Sequence, residues 1–200
     1  MLVIGLTGPS GAGKSRVASL FEQLGLPRID ADAIYHALLE PPSPCLDELT
    51  EYFGAQILAE DGTLNRRALG QIVFHDPAKL SALNEISHRY VMAEIRRRLE
   101  QLRKESFQAA LLDAPQLFEA GAERDCNVIV SVLADEAIRM SRIMQRDAID
   151  KETAASRFRA QKSDTFFRTH SDYIIENNDA PDRLLPEVRR ILAEMGVDLP

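Results

Sequence analysis

The segment Gly8-Pro9-Ser10-Gly11-Ala12-Gly13-Lys14-Ser15 fits the pattern G-x-x-x-x-G-K-[ST] at every position and follows the apolar run Leu2-Val3-Ile4-Gly5-Leu6. This constrains the fold more than any other feature, because such a loop works between a strand and the helix it opens. Small residues let the backbone curl until successive N–H groups point at one anion, and the positive end of the next helix adds its dipole. That helix is expected to begin near Lys14, with Val17, Ala18, Leu20, Phe21 and Leu24 at helical spacing. Gly11, Ala12, Gly13, Lys14 and Ser15 are therefore candidates for holding the phosphates of a nucleoside triphosphate. Lys14 is expected to reach the β- and γ-phosphates, and Ser15 to take Mg²⁺.

Further strand-length apolar runs occur at residues 108–112, 127–133 and 173–175, with a weaker one at 26–29, and helical patterns lie between them. Strands alternating with helices predict an α/β fold, a parallel sheet of about five strands flanked by helices, whose ligands gather at the carboxyl ends of the strands. Residues 40–105 contain no convincing strand and read as a helical insertion, with one long amphipathic helix over 85–104. Its apolar side carries Ile86, Tyr90, Val91, Ile95 and Leu99, which core packing explains without any function. No repeat or linker divides the 200 residues, and 45% hydrophobic content is ample for a core.

A net charge of −7 argues against bulk nucleic-acid binding. The run from 139 to 168 departs from that balance, with eight basic residues against four acidic ones. Such a run is either a solvated helical face or, beside a phosphate loop, a cationic lid able to stabilise a transferring phosphoryl group; Arg142 is the candidate catalytic residue in it. No stretch reaches 18 apolar residues and residues 1–6 lack the basic lead of a signal peptide, so neither membrane insertion nor export is expected, and a cytoplasmic protein is. Cys45 and Cys126 have no metal or redox spacing and read as free thiols. His36, His75, His88 and His170 are not paired as metal ligands, and no Asn-Lys-x-Asp motif of GTPase switches is present.

Two strand ends carry carboxylates. In Ile29-Asp30-Ala31-Asp32 one aspartate can cap the next helix, or one can orient or deprotonate an acceptor hydroxyl; spacing leaves both roles open. In Leu111-Leu112-Asp113-Ala114-Pro115 the aspartate either holds Mg²⁺, directly or through water, or caps the turn before Pro115.

Taken in order along nearly the whole chain, the residues resemble the dephospho-coenzyme A kinase family. The resemblance runs from residues 4–8 into Gly13-Lys14-Ser15, then through Val17-Ala18, Leu24-Gly25 and residues 29–32. It continues with Phe53-Gly54, residues 61–66, Val73-Phe74, Asp76-Pro77, Leu83-Asn84 and His88, and ends with Pro115, Leu117, Glu119, Arg142, Arg146, Gln161 and residues 172–177.

The resemblance implies ATP-dependent phosphorylation of the ribose 3′-hydroxyl of dephospho-coenzyme A, with Mg²⁺ as metal, at the last step of coenzyme A biosynthesis. Another phosphate-loop kinase acting on a nucleotide or nucleoside is the alternative. The resemblance further implies that Asp32 is the catalytic base or orienter, that Asp32, His88 and Asp113 face the acceptor, and that Arg16, Arg146 and Asn177 join the loop in binding nucleotide. It implies one kinase domain made of a nucleotide-binding core (about 1–39, 106–138 and 171–200), an acceptor-binding helical insertion (about 40–105) and a lid (about 139–170). The chain departs from the family pattern at Pro9-Ser10, Arg16, Arg89, Gln116, Arg139, Ser171 and Asp179, none of which removes a named catalytic group, while Arg89 and Arg139 bear on the fine geometry of acceptor and lid contacts.

Overall fold

The computed structural model describes residues 1–74, 76–159, 161–178 and 181–198; His75 and Asp179 lie outside the described residues, as do the side chains of Arg157 and Arg159. The elements run β1 (Leu2–Thr7), α1 (Lys14–Gln23), β2 (Arg28–Asp30), α2 (Ala31–Leu38), α3 (Pro44–Phe53), α4 (Arg66–Phe74) and α5 (Pro77–Lys104). They continue with β3 (Ala109–Asp113), β4 (Val128–Leu133), α6 (Glu136–Asp147), α7 (Lys151–Arg159), α8 (Asp164–His170), β5 (Tyr173–Glu176) and α9 (Leu184–Glu194). The five strands form one sheet in the order β2-β3-β1-β4-β5. β1 lies parallel to both β3 and β4, with Ile4 opposite Leu111 and Val128, and β4 lies parallel to β5.

The strand positions follow from the apolar runs. Alternate residues Ile4, Leu6, Leu111, Val130, Val132 and Ile175 form one core with Val17, Ala18 and Phe21 of α1 and with Leu184, Val188, Ile191 and Leu192 of α9. Fully burying a side chain such as Phe21 contributes roughly 1.5–3 kcal/mol. Val3, Ala110 and Leu112 on the opposite pleat are also inaccessible, so the central strands are covered on both faces, as parallel strands require.

The chain divides into two compact units, one of Met1–Ile29 with Gln101–Pro200 and one of Asp30–Glu100. Apart from Asp30, the last residue of β2, the described residues of the second unit form only helices and an isolated bridge between Leu58 and Leu64. Its core gathers Leu39, Cys45, Leu49, Phe53, Ile57, Leu69, Val73 and Ile86. α5 begins eight residues earlier than its apolar stripe indicates, at Pro77, where proline costs nothing because the first helical N–H has no partner; Asp76 accepts from the amides of Ala78 and Lys79. Ile86, Val91, Ile95 and Leu99 are buried as the spacing indicates, while Tyr90 is only half-buried.

Candidate active site

The loop of residues 8–15 leaves the carboxyl end of β1 and runs into α1. Gly13 sits at the helix N-cap with φ 91°, in the left-handed region. A β-carbon there would collide with Asn177, and one at Gly8 with the carbonyl of Val132, so neither position admits a side chain. Gly13 offers no side-chain cap to the amides that open α1, the arrangement in which a helix N-terminus can take an anion.

Asp113 ends β3 and is 1% exposed. Its Oδ1 is hydrogen-bonded by the Lys14 ammonium, and its Oδ2 accepts from Arg28 Nη2 at 2.6 Å. Arg28 also reaches Glu22 at 3.3 Å. A buried carboxylate needs such pairing, since leaving it alone in a low dielectric is costly. Asp113 is thus the anchor of a cationic pair beside the loop, and the turn before Pro115 is held by other groups: Ala114 N–H donates to the Leu6 carbonyl and the Thr7 hydroxyl to that of Pro115. Arg28 is absent from the candidates drawn from the sequence. Its signal was a charged residue within a short strand that enters the Asp30 turn.

Arg142, on α6, donates to the carbonyls of Gly11 at 3.2 Å, Ala12 at 3.4 Å and Asn177 at 3.0 Å. Asn177 follows β5, is 6% exposed, and donates from Nδ2 to the Ala12 carbonyl at 2.7 Å. Lys14, Asp113, Arg142 and Asn177 are therefore brought together around the loop. Arg146 is not: it is exposed and paired with its neighbour Asp147 at 2.7 Å. Ser15 and Arg16 are exposed on the first turn of α1.

In the other unit, Asp30 is the N-cap of α2, its side chain accepting from the amide of Ala33 at 3.0 Å. Capping therefore falls to Asp30, and Asp32 stands exposed in the first turn, where the helix dipole favours a carboxylate. His88 is half-buried on α5. The next residue, Arg89, pairs with Glu48 of α3, which also accepts from the Tyr90 hydroxyl at 2.8 Å; these two donors, Tyr90 first, hold the Glu48 carboxyl below the usual range.

Neither cysteine is suited to chemistry. Burial pushes the Cys126 thiol up to about 12 and that of Cys45 up to about 11, so both stay protonated at neutral pH. Among the described residues no cluster of His, Cys, Asp or Glu could hold a metal by itself, and no helix is long and apolar enough to cross a membrane.

A parallel sheet with this loop at its central strand, a lysine held by a buried carboxylate and arginines from α6 on the loop define a phosphate-loop phosphotransferase. The family model described as dephospho-CoA kinase matches residues 2–182. The curated dephospho-CoA kinase of Syntrophotalea carbinolica is 36% identical over 195 residues, covering 98% of this chain and 92% of that protein. Two solved structures share the fold: TT1252 from Thermus thermophilus, at 32% identity and TM-score 0.81 with 97% of each chain covered, and the dephospho-CoA kinase from Campylobacter jejuni, at 26% identity and TM-score 0.73 with 96% of each chain covered. The chain belongs to the dephospho-CoA kinase family. It is a kinase whose phosphoryl donor is ATP and whose small-molecule substrate is dephospho-CoA.

Proposed function

We propose that the chain moves the γ-phosphoryl group of ATP onto the ribose 3′-hydroxyl of dephospho-CoA, giving CoA and ADP in the last step of CoA biosynthesis. The observation that carries this reading is Lys14 held against buried Asp113 at the mouth of a loop whose helix-opening amides are uncapped. In phosphoryl transfer the protein's work is positioning and charge stabilisation. Gly11, Ala12, Gly13 and Lys14 grip the phosphates, with Arg16, Arg146 and Asn177 completing the nucleotide side. Arg142, already on the loop, meets charge developing on the transferring group.

Mg²⁺ fits the donors available. It keeps most of its waters and takes few protein ligands besides substrate phosphates, and an exposed Ser15 hydroxyl in the first turn of α1 answers that need. Ser15 would hold it directly and Asp113, whose oxygens already serve Lys14 and Arg28, through water. The metal would neutralise charge on the β- and γ-phosphate oxygens.

Asp32, in the first turn of α2, accepts or orients the acceptor hydroxyl proton, and His88 and Asp113 help to hold the acceptor. We assign the nucleotide to a core of about 1–39, 106–138 and 171–200, the acceptor to the insertion of about 40–105, and a lid role to about 139–170, all within one kinase domain. Free Cys45 and Cys126 support a reducing, cytoplasmic setting. The test is product mass after incubating purified protein with Mg²⁺-ATP and dephospho-CoA, beside a panel of nucleotides and nucleosides. A 3′-phosphorylated product from dephospho-CoA alone is expected, and transfer only to another acceptor would overturn the assignment.

A further inference from the structure

Arg139 lies on α6, one turn before Arg142, and is 4% exposed, the most deeply buried of the arginines near the loop. Its carbonyl oxygen stands where a β-carbon on Gly11 would reach it at 2.7 Å, so α6 backbone closes one side of the loop. Its guanidinium uses three edges. Nε donates to the Ser10 carbonyl at 3.1 Å, Nη1 to Asp164 at 2.9 Å and Nη2 to the Gln161 side-chain oxygen at 3.3 Å. The flat face covers the Phe158 ring at 4.5 Å. The same Gln161 oxygen accepts from the Ser10 amide at 3.1 Å. Both backbone polar groups of Ser10 are therefore held by a pair of side chains that are themselves joined.

Burial lowers the affinity of Arg139 for its proton and Asp164 partly restores it, so the buried charge is compensated by a partner placed for it. The loop bears Pro9-Ser10 at the spot this clamp grips; the Pro9 carbonyl accepts from the Ala12 amide at 3.2 Å, and Gln161 and Arg139 add the bonds to the Ser10 N–H and C=O. Lysine could not replace the arginine, having neither a planar fork nor a stacking face.

We propose that Arg139 is a positioning residue for phosphoryl transfer: with Gln161 it clamps the Ser10 backbone and couples the curvature of the phosphate loop to the docked positions of Phe158, Gln161 and Asp164. When Gln161 and Asp164 leave, the Ser10 amide loses its acceptor and the Arg139 guanidinium loses the partners that fix it, so the loop relaxes; when triphosphate binds a correctly curved loop, they are drawn back by the same bonds. The inference rests on reading residues 8–15 as the triphosphate loop.

Arg139→Met, which keeps stem packing but removes every donor, should raise the KM for ATP and lower kcat together, with kcat/KM for ATP falling about tenfold to a hundredfold, the range set by a misplaced reacting group. KM for dephospho-CoA should stay within about twofold. Gln161→Ala, which leaves the buried charge alone, should shift the ATP parameters in the same direction and add little in the double variant, because both act through one peptide. Amide exchange at residues 10–13 should rise in each variant without nucleotide. If Arg139→Met does not fold, Gln161→Ala with the exchange measurement decides alone. ATP parameters within twofold of the parent, with only a lowered Tm, would reduce Arg139 to a structural residue and overturn the proposal. Lys14→Ala run alongside separates the two ideas: a normal Lys14→Ala rejects the loop reading itself, whereas a crippled Lys14→Ala beside a normal Arg139→Met rejects only the clamp.

Discussion

In the unit that carries the phosphate loop, charged side chains reach across long stretches of sequence: Lys14 and Arg28 to Asp113, Arg139 to Ser10 and Asp164, Arg142 to Gly11, Ala12 and Asn177. In the Asp30–Glu100 unit the described ion pairs are mostly local. Glu94 meets Arg97 and Arg98 within a turn and Asp76 meets Lys79, while the long-range pair of Arg89 with Glu48 joins two partly exposed side chains. Burying charge is unfavourable unless the partners are well placed. A fold tolerates the expense where it must meet a polyanion, and builds elsewhere with apolar helix packing. The difference supports the proposal that phosphate is handled in the first unit.

The largest effect should come from breaking that first unit at its centre. Lys14→Ala is expected to lower phosphoryl transfer at least about a hundredfold, the loss typical of one preorganised charge partner. Asp113 keeps Arg28, so the fold should survive, with Tm displaced by only about 4 °C or less, the shift of a 1 kcal/mol change in a chain of this size. Initial rates and thermal melts on one preparation check both halves. Near-normal turnover would show that buried charge in this unit serves stability alone.

Asp32→Asn tests whether the second unit contributes chemistry despite its surface-type electrostatics. Transfer to dephospho-CoA should fall by roughly 10², the scale of general-base assistance, with ATP binding and Tm close to the parent. Asp30→Ala gives the converse, costing about 1 kcal/mol of stability through the lost cap. Activity that follows Asp30 rather than Asp32 would exchange their roles.

How far these features were legible in the sequence depended on how local their causes are. The loop, the strand runs and α1 were readable because spacing and apolarity act within a few residues. The division of labour between Asp30 and Asp32 was not, since both types cap equally well and only backbone placement decides between them. Arg28 escaped notice because its partner is 85 positions away. Arg139 stood out only as a departure from the family pattern. Its burial against Ser10, Gln161 and Asp164 depends on three segments meeting, which no periodicity encodes. The start of α5 at Pro77 was missed for a related reason: its first turns are held by an Asp76 cap rather than by an apolar stripe.

Arg28→Leu sharpens the comparison at an intermediate scale. It removes one of two cations from a carboxylate that is almost wholly inaccessible, leaving Lys14 as the remaining partner. Weakened satisfaction of a buried charged group costs about 1–3 kcal/mol, measurable by urea unfolding. Nucleotide affinity should fall too, because Lys14 is then needed by Asp113 when phosphate arrives. A stability change below about 0.5 kcal/mol would show that Lys14 alone satisfies Asp113.

Glu94→Gln should have the smallest effect, and its pH dependence carries the sign. Hydrogen bonds from Arg97 first, and then Arg98, hold the Glu94 carboxyl down to about 2, below an ordinary glutamate near 4.3. A depressed carboxyl contributes stability that is fully present above the unfolded value and disappears as pH falls from about 4.3 through about 2. Water screens this helical surface, so the whole contribution at neutral pH is only about 0.3–0.5 kcal/mol, the worth of an exposed pair on one helix. The parent and the Gln variant should therefore differ slightly in urea midpoint at pH 7, less in 1 M salt, and converge near pH 2. A gap exceeding about 1 kcal/mol, or one that persists in acid, would mean that charge in this unit is coupled to its core after all, and the contrast between the two units would fail.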